Sequence, residues 1–143
     1  MDQRDIDLLS SSKLKYFFKL LERTSYQAQQ PWPMAALIAK GTKIIVCAPN
    51  KRKTHPESQV CKDFSFGFHK PGTHAEICCL LSLERDFSLR NHDLYVYRRR
   101  NNGAGLAKPC INCMNVILSS TQLRRIIWST GNEETPYEMM RIY

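Results

Sequence analysis

The sequence predicts an α/β fold in which helices cover both faces of one sheet. Apolar residues make up 43% of the 143, enough for a real core and far from the composition of a disordered chain. The length suits one domain of ordinary size, so residues 1–143 are expected to form a single domain. Segments with helical periodicity alternate with short apolar runs of strand length, a pattern that places helices on both sides of a sheet.

Taken in order, Ser11 or Ser12 can cap a helix running from about Lys13 into the 20s. In it Leu14, Phe17, Phe18 and Leu21 fall at i, i+3, i+4 and i+7 and share one face, which is read as core. Pro31-Trp32-Pro33 ends the helix, because proline cannot continue it and restricts the residue before it. Met34 to Ala39 and Ile44 to Ala48 flank Lys40-Gly41-Thr42-Lys43 and read as a β-hairpin. Pro49 to Thr73 form a long polar connection carrying Lys51-Arg52-Lys53 and the alternating Phe64, Phe66 and Phe68. Connections of that length inside compact domains are often functional.

A second helix is predicted from near Thr73 through Ile77, Leu80, Leu81 and Leu83, followed by a strand from Asp93 to Arg98. Asn101-Asn102-Gly103-Ala104-Gly105 is a loop by composition. Pro109 suits the first turn of a third helix, Cys110 to Ser120, where its missing N–H would have no helical acceptor anyway. Ile126 to Ser129 gives one more buried strand, and Met139 to Tyr143 a short edge strand. The main order is α-β-β-α-β-α-β, without internal repeat.

The formal net charge of +8 favours an anionic partner, nucleic acid or a phosphate-bearing small molecule, without choosing between them. A merely solvated basic surface is the plainer reading. No apolar run approaches the roughly 18 residues of a membrane span. The start, Met1-Asp2-Gln3-Arg4-Asp5, lacks the layout of a secretion signal, so a cytoplasmic protein is expected. In such a reducing compartment the six cysteines at 47, 61, 78, 79, 110 and 113 are expected to bind metal or lie buried.

Two fragments carry chemistry: Thr73-His74-Ala75-Glu76 and Lys108-Pro109-Cys110-Ile111-Asn112-Cys113. Both fall at predicted helix starts, where free N–H groups and partial positive charge stabilise thiolates. Cys110 and Cys113, at i and i+3, lie on one helical face and can reach one ion. His74 would be the third ligand. Two thiolates, one imidazole and a vacant fourth position describe an open, catalytic Zn²⁺ site. Glu76 points in a different direction from His74 and can move protons beside the ion.

A structural rival adds Cys78, four residues after His74, as a fourth ligand that closes the site to water. It would leave the spacing of Glu76 and the proline before Cys110 as coincidences. Cys78 and Cys79 are read instead as small apolar core residues, and Cys47 and Cys61 as structural. His55 and His69 are read as solvated loop histidines. The Phe64, Phe66, Phe68 alternation is either a small covering strand or a lid that stacks on a base.

His-x-Glu together with Pro-Cys-x-x-Cys marks the zinc nucleobase deaminases. Through His74-Ala75-Glu76 and Pro109-Cys110-x-x-Cys113 this sequence resembles the cytidine and deoxycytidylate deaminase superfamily, from about Pro33 to Thr130. A weaker likeness runs from Pro33-Met34-Ala35-Ala36-Leu37-Ile38 through Ala48-Pro49-Asn50. It looks like the family's first hairpin, whose final asparagine contacts the substrate sugar or base; Asn50 matches that position. The resemblance implies a three-layer α/β/α sandwich around a mixed sheet, with Zn²⁺ as cofactor. It also implies that the Ala75 N–H helps hold the base carbonyl while an activated water attacks C4 of a cytosine, or C6 of an adenine.

Histidine as first ligand argues against the nucleoside-level cytidine deaminases, which typically use cysteine there. The leading expectation is a dCMP-type enzyme releasing ammonia, with Lys51, Arg52 and Lys53 either binding phosphate or forming a solvated face. Arg98-Arg99-Arg100, close to the cysteine loop, carries the same two readings. One alternative is a deaminase of cytosine or adenine in RNA or single-stranded DNA. The other is a non-catalytic zinc module whose basic face binds nucleic acid. Relatives are often dimers or larger, so a homo-oligomer is expected.

Overall fold

The structure is a computed structural model that describes residues 3–28, 32–51, 74–84 and 86–142. Its elements are α1 (Gln3–Leu9), α2 (Ser12–Ser25), β1 (Met34–Lys40), β2 (Lys43–Pro49), α3 (Ala75–Leu81), β3 (Asp93–Arg100), β4 (Gly103–Gly105), α4 (Ile111–Ser120), β5 (Arg125–Ser129) and β6 (Tyr137–Arg141). The sheet runs β2-β1-β3-β5-β6, with β4 paired to the end of β3. Only β3 and β5 are parallel among the described pairs, which makes the sheet mixed. A parallel pair needs a crossover, and α4 supplies it.

Strand alternation builds the layers. Ala35, Leu37 and Ala39 of β1, with Tyr95 and Tyr97 of β3, face α2, which meets them with Leu14, Phe17, Phe18 and Leu21. The rings lock this layer: Phe17 sits edge-on to Tyr95 at 5.0 Å and Phe18 stacks on Tyr137 at 4.4 Å. On the opposite face Ala36, Ile38, Leu94, Val96, Ile126 and Trp128 meet Ala75, Cys78 and Cys79 of α3 and Ile117 of α4. The chain is thus an α/β/α sandwich, and its central strands are buried on both faces.

Ser11 caps α2, its Oγ accepting from the Leu14 N–H at 3.2 Å. Five differences from the expectations follow. α1 was not predicted; a seven-residue helix is marginal on its own, and Asp5 fastens it to Arg125 and Arg141. Gly103–Gly105 is a strand, because it pairs with Arg98–Arg100 and Gly105 accepts from Ser129 Oγ at 2.7 Å. The second predicted helix ends at Leu81, with Ser82 as its cap. Pro109 lies outside α4, since Cys110 is the extended cap residue. The predicted edge strand is β6, two residues earlier than expected. Arg52, Lys53, His55, Cys61, Phe64, Phe66, Phe68, His69 and Thr73 lie outside the described residues.

Candidate metal centre

The two chemical fragments meet at helix tips. His74 caps α3 and Cys110 caps α4, each with extended backbone (φ −68°, ψ 154° and φ −64°, ψ 166°). Neither side chain bonds the N–H groups of its own helix; the two turn toward each other. His74 Nδ1 lies 3.2 Å from Cys113 Sγ and 3.5 Å from Cys110 Sγ. All three donor atoms fall within 4.8 Å of one another. Ligands around a tetrahedral zinc stand roughly 3.5 to 3.8 Å apart, given bonds of about 2.0 to 2.3 Å. The donor set therefore fits Zn²⁺ with little rearrangement.

The local electrostatics suit a cation. Hydrogen bonding from Cys113, against the opposing effect of burial and with help from His74, holds the Cys110 thiol down to about 4. Cys110 is thus a thiolate at neutral pH, the form that binds metal. Cys113 is completely buried. Cys78, by contrast, packs in the core with Ala36, Ala48 and Cys79, and burial pushes its thiol up to about 11. It does not join the three-residue cluster, so the four-ligand arrangement is not formed among the described residues.

Glu76, one residue into α3, is 1% exposed, and its Oε1 has no hydrogen-bond partner among the described residues. Burial raises its pKa, while the His74 charge and the Cys113 thiol pull the other way. Such a carboxyl stands ready to hold or release a proton. Asn112, inside the Cys-x-x-Cys spacer, is 2% exposed with Oδ1 also unpartnered among the described residues. Sequence reasoning passed over Asn112, because nothing in a spacer position signals burial.

The other expected site residues divide. Ala75 is fully buried at the first position of α3. The first N–H bonded within that helix is that of Cys78, to His74 O at 2.9 Å, so the Ala75 N–H precedes the helical ladder. Asn50, 1% exposed, spends its side chain on the backbone. Oδ1 accepts from the Met34 N–H at 3.1 Å and Nδ2 donates to Trp32 O at 3.2 Å. Lys51 follows it, exposed. Arg99 turns to the α2 side, where it donates to Ser25 Oγ at 3.2 Å and stacks over Tyr26 at 4.0 Å.

Sheet order, paired helix tips and donor chemistry together define a class, a zinc-binding domain of the deaminase type. Comparison with known families then specifies it. Residues 11–130 match the cytidine and deoxycytidylate deaminase zinc-binding region, and the chain belongs to that family. The matched span runs from the cap of α2 through β5 and contains His74, Glu76, Cys110 and Cys113. No curated protein matches the chain closely enough to count as a relative. Among the described residues no helix is long and apolar enough to cross a membrane.

Proposed function

We propose that the chain is a cytoplasmic, zinc-dependent hydrolase that converts a cytosine mononucleotide of the dCMP type to its uracil form and releases ammonia. The observation that carries this reading is the buried Glu76 carboxyl, with an unspent oxygen beside His74, Cys110 and Cys113. Those three side chains would hold the zinc. When bound, the ion supplies a water activated for attack near neutral pH.

Glu76 does the proton work: Oε1 accepts a proton from the attacking water and passes it to a ring nitrogen, then takes the proton of the new C4 hydroxyl and gives it to the departing amino group, so that a C4 carbonyl remains. A C–O bond forms at C4 of the ring, the C–N bond breaks, and ammonia leaves. The raised pKa of Glu76 brings its acid and base forms closer in energy at working pH. The Ala75 N–H holds the base carbonyl. Asn50 keeps one amide hydrogen for the sugar, and Lys51, Arg52 and Lys53 hold the phosphate.

A second reading, deamination of cytosine or adenine in single-stranded nucleic acid, is favoured by the exposed Tyr26 with Arg99 stacked on it and by the +8 charge. Zinc-loaded protein incubated separately with dCMP, CMP, dCTP, cytidine and single-stranded oligonucleotides separates the two by ammonia release. Turnover fastest on dCMP is expected. Turnover on oligonucleotides alone supports the second reading, and none on any substrate leaves a non-catalytic zinc module.

A further inference from the structure

Strand alternation splits the run Arg98-Arg99-Arg100 between the two faces of the sheet. Tyr95 and Tyr97 face α2, and Arg99 follows them to that side, where Ser25 and Tyr26 hold it. Leu94 and Val96 lie on the opposite face, under α3 and α4, and Arg98 and Arg100 continue that row. The metal centre occupies the same face at the same end of the sheet. The Ala107 N–H donates to Ser129 O at 2.9 Å, at the end of β5, and Cys110 follows three residues later.

The register fixes what lies beside Arg98. On one side its partner is Met34, and Asn50 stands beyond, its N–H donating to Met34 O at 3.2 Å. Two strand spacings, roughly 10 Å, separate Asn50 from Arg98 across this row. On the other side its partner is Gly105, five residues before Cys110. A Cβ at Gly105 would stand 2.8 Å from Nε of Arg100, 2.9 Å from its Cγ and 3.1 Å from its Cδ. Arg100 therefore lays its stem across Gly105, back toward Arg98, instead of continuing outward along β3.

Among the described residues the side chains of Arg98 and Arg100 make no hydrogen bond or ion pair; Arg98 uses only its backbone N–H, toward Ser129 Oγ at 3.3 Å. Arg98 is half-buried and Arg100 exposed. Like charges held side by side without a carboxylate are unfavourable until an anion arrives. A run that merely keeps a surface wet would splay its side chains into water. It would not require the bare backbone of Gly105 beneath Arg100.

We infer that Arg98 recognises the phosphate of the mononucleotide substrate, with Arg100 as the second prong. The inference rests on the deaminase reading above and adds the strand from which the phosphate is gripped. A guanidinium presents paired N–H donors that match two phosphate oxygens, and two guanidiniums together offset a phosphate dianion. Arg98 is a specificity residue: it binds the charged end of the substrate and takes no part in the proton transfers at Glu76. A nucleoside without phosphate gains nothing from it.

The test sets dCMP against deoxycytidine and a single-stranded oligonucleotide on the zinc-loaded chain, by steady-state ammonia release. Equilibrium dialysis of dCMP runs beside it on the Glu76→Gln background, where dCMP is not consumed. Arg98→Gln should raise KM for dCMP and weaken its binding at least tenfold, roughly the loss of one charge-assisted contact. Turnover number for dCMP and both constants for deoxycytidine should stay within about twofold, the mark of a contact made equally in ground and transition states. Arg98→Lys should restore part of the loss. Lys40→Gln on the exposed end of β1 removes the same charge elsewhere and should leave dCMP binding unchanged. Melting temperature and zinc content of Arg98→Gln should match wild type, since its side chain makes no hydrogen bond or ion pair among the described residues. A chain that binds dCMP yet releases no ammonia would contradict the deaminase reading alone, and dialysis would still decide the role of Arg98. Failure to bind dCMP, equal affinity in Arg98→Gln, an equal loss with deoxycytidine, or a loss confined to the oligonucleotide would each overturn the assignment.

Discussion

Glu76 and Asp93 are buried to the same degree, each 1% exposed, yet the fold surrounds them in opposite ways. Asp93 receives four N–H bonds from two guanidiniums, and these pull its pKa down against the burial that pushes it up. Among the described residues Glu76 has no guanidinium beside it and keeps an oxygen without a partner, and burial raises its pKa. Burying a charge is costly unless it is paired. Where the pairing is complete, at Asp93 at the start of β3, the carboxylate serves architecture. Where it is left incomplete beside three metal-donor atoms, it remains available for chemistry.

The largest expected effect breaks the comparison at Glu76. Glu76→Gln should lower ammonia release by about 10²- to 10⁴-fold, the usual worth of a positioned acid–base group. Zinc content should match wild type and the melting temperature should not fall, because glutamine keeps the size of the side chain at a buried position where burial already disfavours the charged carboxylate. Asp93→Asn should do the reverse. It leaves two guanidiniums facing a neutral amide and should cost about 3 to 5 kcal/mol in chemical denaturation, while turnover per folded, zinc-loaded molecule stays near wild type.

Acid sharpens the same contrast. Arg141 and Arg125 hold the Asp5 carboxyl below its ordinary value, as Arg125 and Arg124 do for Asp93. Groups with depressed folded pKa values contribute stability that is present above the unfolded carboxylate value, about 3.9, and lost as pH falls through the folded values. The melting temperature should therefore drop as pH falls below about 4, and Asp93→Asn should flatten that drop. The smallest effect is expected at Asn50. Asn50→Ala leaves the Met34 N–H without its side-chain acceptor and should cost about 1 to 3 kcal/mol by thermal or chemical melting.

The sequence disclosed these two carboxylates unequally. Glu76 stood out because the chemistry proposed for it needs residue types at fixed short spacings: His74 two residues before it, and a proline-led cysteine pair elsewhere. The amphipathic stripe of α2 and the β1–β2 hairpin were legible for the same reason, since local periodicity dictates them. Asp93 was not, because its partners lie far away: Arg125 is 32 positions on, and Arg125 in turn holds Asp5 across 120. No local pattern records such a pairing. α1 escaped for that reason too, being fixed by Asp5 more than by its own seven residues. β4 reads as loop by composition, and only its pairing with Arg98–Arg100 makes it a strand. Pro109 was read one step too far into α4, within the ordinary uncertainty of a helix boundary.

The most direct measurement is X-ray absorption at the zinc edge of the purified chain, with metal content determined on the same sample. One zinc per chain, with two sulfur ligands, one imidazole and one exchangeable light-atom ligand, is the predicted result. A chain that binds no zinc, or a zinc enclosed by three sulfurs and an imidazole, would contradict the account.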